Sequence, residues 1–146
     1  MNKKQKTIVL ISLSIFIIVL HFVANTTGLY EGGIIWFDNV LHFLTGVVFG
    51  LTWLWIFRKQ SVENYSLRDL ISAFGFVLRL AIIWELLEFG FLKLFPVYAH
   101  SLSIFSPSIT EAVEDIASNM LGVISLLVWI RVSLKLKEEN IDNNHV

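Results

Sequence analysis

The 146-residue chain contains no cysteine. Disulfides, thiolate metal sites and cysteine nucleophiles are therefore excluded, and the redox compartment is left open. Proline occurs twice, too seldom for a proline-rich linker. Charged residues make up 16%, with 11 Lys+Arg against 12 Asp+Glu and a net charge of -1. That balance lacks the basic excess a nucleic-acid partner requires, and no nucleic acid is expected. A glycine-rich phosphate loop, a Gly-x-Ser-x-Gly elbow and a His-Glu-x-x-His pair are also missing, so no motif names a reaction or an organic cofactor.

Apolar residues dominate what is present. Hydrophobic residues reach 55% before the 8 glycines are counted, and mean hydropathy is +0.71. With glycine the fraction is about 60%, against roughly 45–50% in soluble domains. A bilayer core of ~30 Å takes about 20 mostly apolar residues in a helix, and four stretches qualify: about 7–24, 34–57, 68–95 and 109–132. Gly28, Gly32 and Gly33 mark the first turn, and Pro96 stops the third span. Ser108-Ile-Thr-Glu111 has the form of a capping box at the start of the fourth. The expected fold is all-α: one membrane domain over 1–146, a four-transmembrane-helix bundle with a solvated tail at 133–146.

Orientation follows from positive charge in short loops. Lys3, Lys4, Lys6, Arg58, Lys59, Arg68, Arg131, Lys135 and Lys137 flank one side, and only Lys93 flanks the other. Both termini and the tail are thus expected in the cytoplasm, in a multi-pass protein of a prokaryotic plasma membrane. The basic start before an apolar run also fits a cleaved leader, but Phe22 occupies a cleavage position that calls for a small residue. The five tryptophans fall mostly near span ends, as an aromatic belt requires.

A charge near the bilayer centre costs at least ~2.5–3.5 kcal/mol, so each one needs a reason. With a rise of ~1.5 Å per residue, His42 and Glu85 lie roughly 5 Å to the outer side of their span midpoints. On the same ruler His21 and Asp115 lie roughly 8 Å out, and Asp38 and Glu88 roughly 10 Å. Glu111 and Glu114 are nearer the boundary, Asn119 is near the middle, and His100 is in the last loop. Helical spacing stacks Asp38 on His42, pairs Glu85 with Glu88, and aligns Glu111, Asp115, Asn119 and Gly122. Taken singly, these have ordinary explanations: an acid at a helix start is favoured by the dipole, and a histidine is often bonded within a bundle. Together they outnumber the nearby cations His21, His42 and Arg79, and must share protons or bind a cation.

The candidate metal ligands are Asp38, His42, Glu85, Glu88 and Asp115, supported by Glu111, Asn119 and His21. Mixed oxygen and imidazole donors suit zinc, manganese or iron; an oxygen-only subset suits magnesium. Two other readings stand beside a metal site: a proton- or cation-coupled transport site, and a scaffold whose polar cluster fixes helix register. Gly46 and Gly50 form a Gly-x-x-x-Gly face that permits close helix approach within the chain or in a homo-oligomer. Arg79, near the middle of span three, points about 120° from Glu85 and opposite Glu88. It is left to snorkel, pair with another helix or meet an anionic head group.

Three motifs in order resemble the YjdF-like bacterial inner-membrane proteins. Phe37-Asp38-Asn39-Val40-Leu41-His42-Phe43-Leu44-Thr45-Gly46 is similar to their Asp-x-x-x-His-Phe-x-x-Gly segment. Trp84-Glu85-Leu86-Leu87-Glu88-Phe89 is similar to their aromatic-Glu-x-x-Glu-aromatic segment. Glu111-Ala112-Val113-Glu114-Asp115-Ile116, followed by Asn119 and Gly122, resembles their last motif, with Glu111 where that pattern usually has Asp. VanZ-like proteins share the flavour more distantly and are associated with glycopeptide (teicoplanin) resistance. The resemblance implies a helical inner-membrane protein and, through the VanZ-like proteins, work at the outer face. A metal-activated water acting on a lipid or lipid-linked head group would suit such a place.

Overall fold

A computed structural model describes residues 2–29, 36–57, 66–101 and 108–143, with side chains through 99 in the third segment and 136 in the last. Gly32, Gly33 and Pro107 lie outside the described residues, as does the side chain of His100. Helix α1 is Lys3–Thr26, α2 is Trp36–Thr52, α3 is Leu67–Leu94, α4 is Pro96–Ser101 and α5 is Ile109–Asn143. Four of these helices are long and apolar enough to cross a membrane, and the described residues include no strand.

Local chemistry sets the helix ends. Asn2 and Gln5 bond each other's backbone N–H at 2.9 Å, a reciprocal cap that satisfies two otherwise unpaired donors of α1. At its other end Gly28 turns left-handed with φ 67°. Its N–H donates to Asn25 O, and the Leu29 N–H donates to Ala24 O at 3.0 Å, the pairing of a Schellman close that glycine permits without a Cβ clash. Ser66 and Asp69 cap α3, with Asp69 accepting from the Ser66 N–H at 2.9 Å and its hydroxyl at 2.8 Å. The expected box at α5 is present: the Ser108 N–H donates to Glu111 Oε2 at 2.7 Å and the Glu111 N–H donates to Ser108 Oγ at 3.2 Å.

Two features add to the sequence expectation. Pro96 ends α3, as expected, and also begins α4, because proline's fixed φ and missing N–H are tolerated at a first helical position. The chain beyond 132 continues as helix to Asn143; its Lys- and Glu-rich composition is itself helix-favouring.

The long helices alternate in direction. At one end Lys6, early in α1, lies over the Trp55 ring at 6.0 Å, and Trp55 belongs to a π-helical turn, Trp53–Phe57, that closes α2. Trp53 also stacks on Phe76 of α3 at 5.0 Å. Leu54, Ala73, Leu126 and Ile130 form the core at this end. At the other end lie the last turns of α1 and α3 and the first turns of α2 and α5. The outer surface is apolar instead of polar: Ile18 is 66% exposed and Leu86 65%. Outward-facing hydrophobics on every long helix are what a lipid solvent selects.

The closest packing joins α2 to α5. A Cβ added at Gly46 would strike the Asn119 carbonyl, and one at Gly122 would strike the Phe43 carbonyl. Gly50 faces Val123 and Leu126, whose side chains leave under 3.4 Å for a methyl group. Of the two uses open to the Gly46/Gly50 face, the structure shows the one within the chain: α5 fills it. Gly46→Leu or Gly122→Leu should cost at least about 1–3 kcal/mol, because the obstacle is backbone and cannot rotate away. Thermal denaturation in detergent checks this, with Gly75→Leu as control, since no atom of the described residues lies within 4 Å of a Cβ there.

Candidate metal centre

The glycine contact sets the site. Asn119 presents its backbone to Gly46, and its amide side chain reaches His42, one turn earlier on α2. Asn119 Nδ2 lies 3.0 Å from His42 Nδ1 and also donates to the Asp115 carbonyl at 3.0 Å. On the far side of the imidazole, His42 Nε2 is 3.9 Å from Asp38 Oδ2 and 3.7 Å from Asp115 Oδ1. These gaps exceed a hydrogen bond. One donor atom each from Asp38, His42 and Asp115 falls within 4.8 Å of the others, a spread that one cation with bonds of about 2.0–2.6 Å can span with small adjustments.

Glu85 lies on α3, within Coulombic range of Asp38 and Asp115. It is 8% exposed, and neither carboxylate oxygen has a hydrogen-bond partner among the described residues. A buried ionised carboxylate without a partner is strongly unfavourable, so this group requires a cation or a proton. Asp115 lies within Coulombic range of Asp38, Glu85, Glu88 and Glu111, which places acids of three helices around one point. Asn119 is 2% exposed, while the Asp38 side chain is 44% exposed and forms the open side of the pocket.

The candidates are not equally placed. Asp38, His42 and Asp115 form the tight group, with Asn119 bonded to it and Glu85 buried beside it. Glu88 is half-buried and within Coulombic range of Asp38 and Glu85, outside the tight three. The Glu111 carboxylate is engaged by the α5 cap, and Glu114 is exposed. His21 is exposed on α1 but within Coulombic range of His42. Sequence reasoning did not anticipate the second role of Asn119, whose bond to the Asp115 carbonyl fixes the amide; the i, i+4 spacing was the available signal. Ser118, beside Asn119 on α5, is buried as well.

The Asn119 amide also constrains the proton on His42. While Nδ2 donates to both the Asp115 carbonyl and Nδ1, the imidazole proton sits on Nε2 and points at the carboxylates. Coordination through Nε2 needs the other tautomer, with Nδ1–H given to an acceptor. Asn119 Oδ1 is buried without a partner among the described residues, and rotation of the amide would offer it to that proton. Asn119→Leu should therefore weaken cation affinity about 10–100-fold while leaving the ligands intact, measurable by competition with a chromogenic chelator.

Fold and site define a multi-pass α-helical membrane protein with a His/carboxylate cluster between its helices. A family profile described as predicted membrane protein (DUF2238) matches residues 3–135, and the chain belongs to that family. No curated protein and no solved structure matches the chain.

Proposed function

We propose that the protein binds one divalent cation through Asp38, His42 and Asp115, with Glu85 as a further donor and Glu88 adjacent. The observation that carries this is Glu85: a carboxylate buried on α3, without a hydrogen-bond partner among the described residues, beside a His42 whose Nε2 stands 3.9 Å from Asp38 and 3.7 Å from Asp115. Three acids around one imidazole leave a charge that a bound cation would balance. Imidazole among the donors favours zinc, manganese or iron over magnesium. We further propose that the site end faces the exterior of a prokaryotic plasma membrane and both termini the cytoplasm, on the strength of the positive charges at the opposite end. The partly exposed Asp38 opens the site toward the lipid head groups, about 5 Å inside the hydrocarbon boundary on the helical ruler. A lipid or lipid-linked head group is thus the substrate class that suits it, with a metal-activated water as attacking group. The likeness to YjdF-like proteins supports grouping them with this family, and the VanZ-like likeness supports the outer-face assignment.

Purified protein stripped with chelator and titrated with zinc, manganese, iron(II) or magnesium should gain thermal stability with at least one ion. A ligand at 100 times its Kd stabilises by about 2.7 kcal/mol. Wild type should retain about one ion per chain by elemental analysis, and the Glu85→Ala/Asp115→Ala variant none. Equal, substoichiometric metal in both would contradict the proposal. Glu85→Leu should leave the chelated protein as stable as wild type or more so, since it removes an uncompensated buried carboxylate, yet abolish the gain on adding metal.

A second reading is favoured by the Asn119 amide. With the proton on Nε2, His42 sits between two carboxylates as in a proton-sharing site, the arrangement of a proton- or cation-coupled transporter. It requires flux in proteoliposomes that depends on a pH or ion gradient and disappears in His42→Ala. The scaffold reading instead requires that single Asn or Gln replacements of the acids lower stability without altering cation binding or flux.

A further inference from the structure

Arg79 is a charge that the cluster does not use. It stands 12 residues into α3, about 18 Å from the helix start and within about 2 Å of its midpoint. It is exposed and makes no hydrogen bond or ion pair among the described residues. Ser72, Gly75, Ile83, Leu86 and Gly90 lie within about 40° of it around the helix axis, on the side away from Glu85 and Glu88. Among the described residues, neither Gly75 nor Gly90 has any atom within 4 Å of where a Cβ would stand. The contrast with Gly46, Gly50 and Gly122 is direct: those three are each filled by a facing helix, and these two are open. Small residues let another helix backbone approach, and an arginine at the same register is stabilised by an anion at bilayer mid-depth.

We propose that this face of α3 docks a transmembrane helix of a different protein that carries an Asp or Glu at mid-depth, paired with Arg79. A second copy of this chain does not meet the requirement. Copies related by rotation about the membrane normal share each residue's depth, and the acids within the bundle cluster toward the opposite leaflet side from mid-depth, at the site end. A two-fold pair through this face would set Arg79 against Arg79. A lipid phosphate has to leave the interface and travel inward along more than two turns of α3, whereas Gly75, one turn from Arg79, leaves the helix surface low enough for a partner helix to approach.

The test uses the full chain, donor-labelled, in phosphatidylcholine vesicles with an acceptor-labelled Leu/Ala transmembrane peptide bearing one central Asp. Energy transfer should report association at least about tenfold tighter than for the same peptide with central Asn or Leu. Arg79→Leu and Gly75→Leu should each abolish that preference, the second by blocking that approach without touching the charge. Arg79→Asp with a Lys-centred peptide should restore it. Equal association of the Asp and Leu peptides, or an Asp preference that survives Arg79→Leu, would overturn the proposal. So would an Arg79-dependent enrichment of phosphatidylglycerol around the protein with no peptide preference, which would assign the charge to a lipid. Cation binding at the His42 site, on the other side of α3, should be unchanged in Arg79→Leu and serves as the folding control.

Discussion

The contact between α2 and α5 is the constraint from which the rest follows. Gly46 and Gly122 bring backbone against backbone, a distance no residue with a side chain allows. In lipid there is little hydrophobic force between helices, so close packing and internal polar bonds must hold the bundle. The same approach that packs the pair lays His42 against Asn119 and Asp115. Stability and site geometry therefore share one cause, and a change at either glycine acts on both.

Around that pair the polar groups behave as hydrocarbon demands. Thr45 and Thr52 return their hydroxyls to Leu41 and Val48 carbonyls at 2.9 and 2.8 Å, so they need nothing from lipid. Asp69, 2% exposed, is absorbed by the Ser66 cap at the start of α3. Glu85 has no such local outlet, and its neighbours Asp38 and Asp115 are acids as well. Acids outnumber their partners in this cluster, an excess that the proposed cation, or shared protons, would balance.

Much of this was legible in the chain. Four apolar runs fixed the spans because lipid admits few alternatives, and Asp38/His42 or Asp115/Asn119 share a face through helical spacing alone. The Ser108–Glu111 cap was readable from its motif. Which helix meets which was not readable: periodicity gives each helix its polar face but not the partner, so the Gly-x-x-x-Gly face was open to a second copy until α5 was seen to occupy it. The separation of Glu88 from the tight group and the Asn119–carbonyl bond depend on side-chain reach and rotation about the helix axis, which spacing specifies only to within tens of degrees.

The most direct measurement is X-ray absorption at the metal edge of protein loaded with one equivalent of zinc or manganese. The account predicts one imidazole nitrogen and carboxylate oxygens at about 2.0–2.2 Å, with the imidazole scattering lost in His42→Ala. A spectrum of the fully hydrated ion, or an imidazole signal that persists without His42, would contradict it.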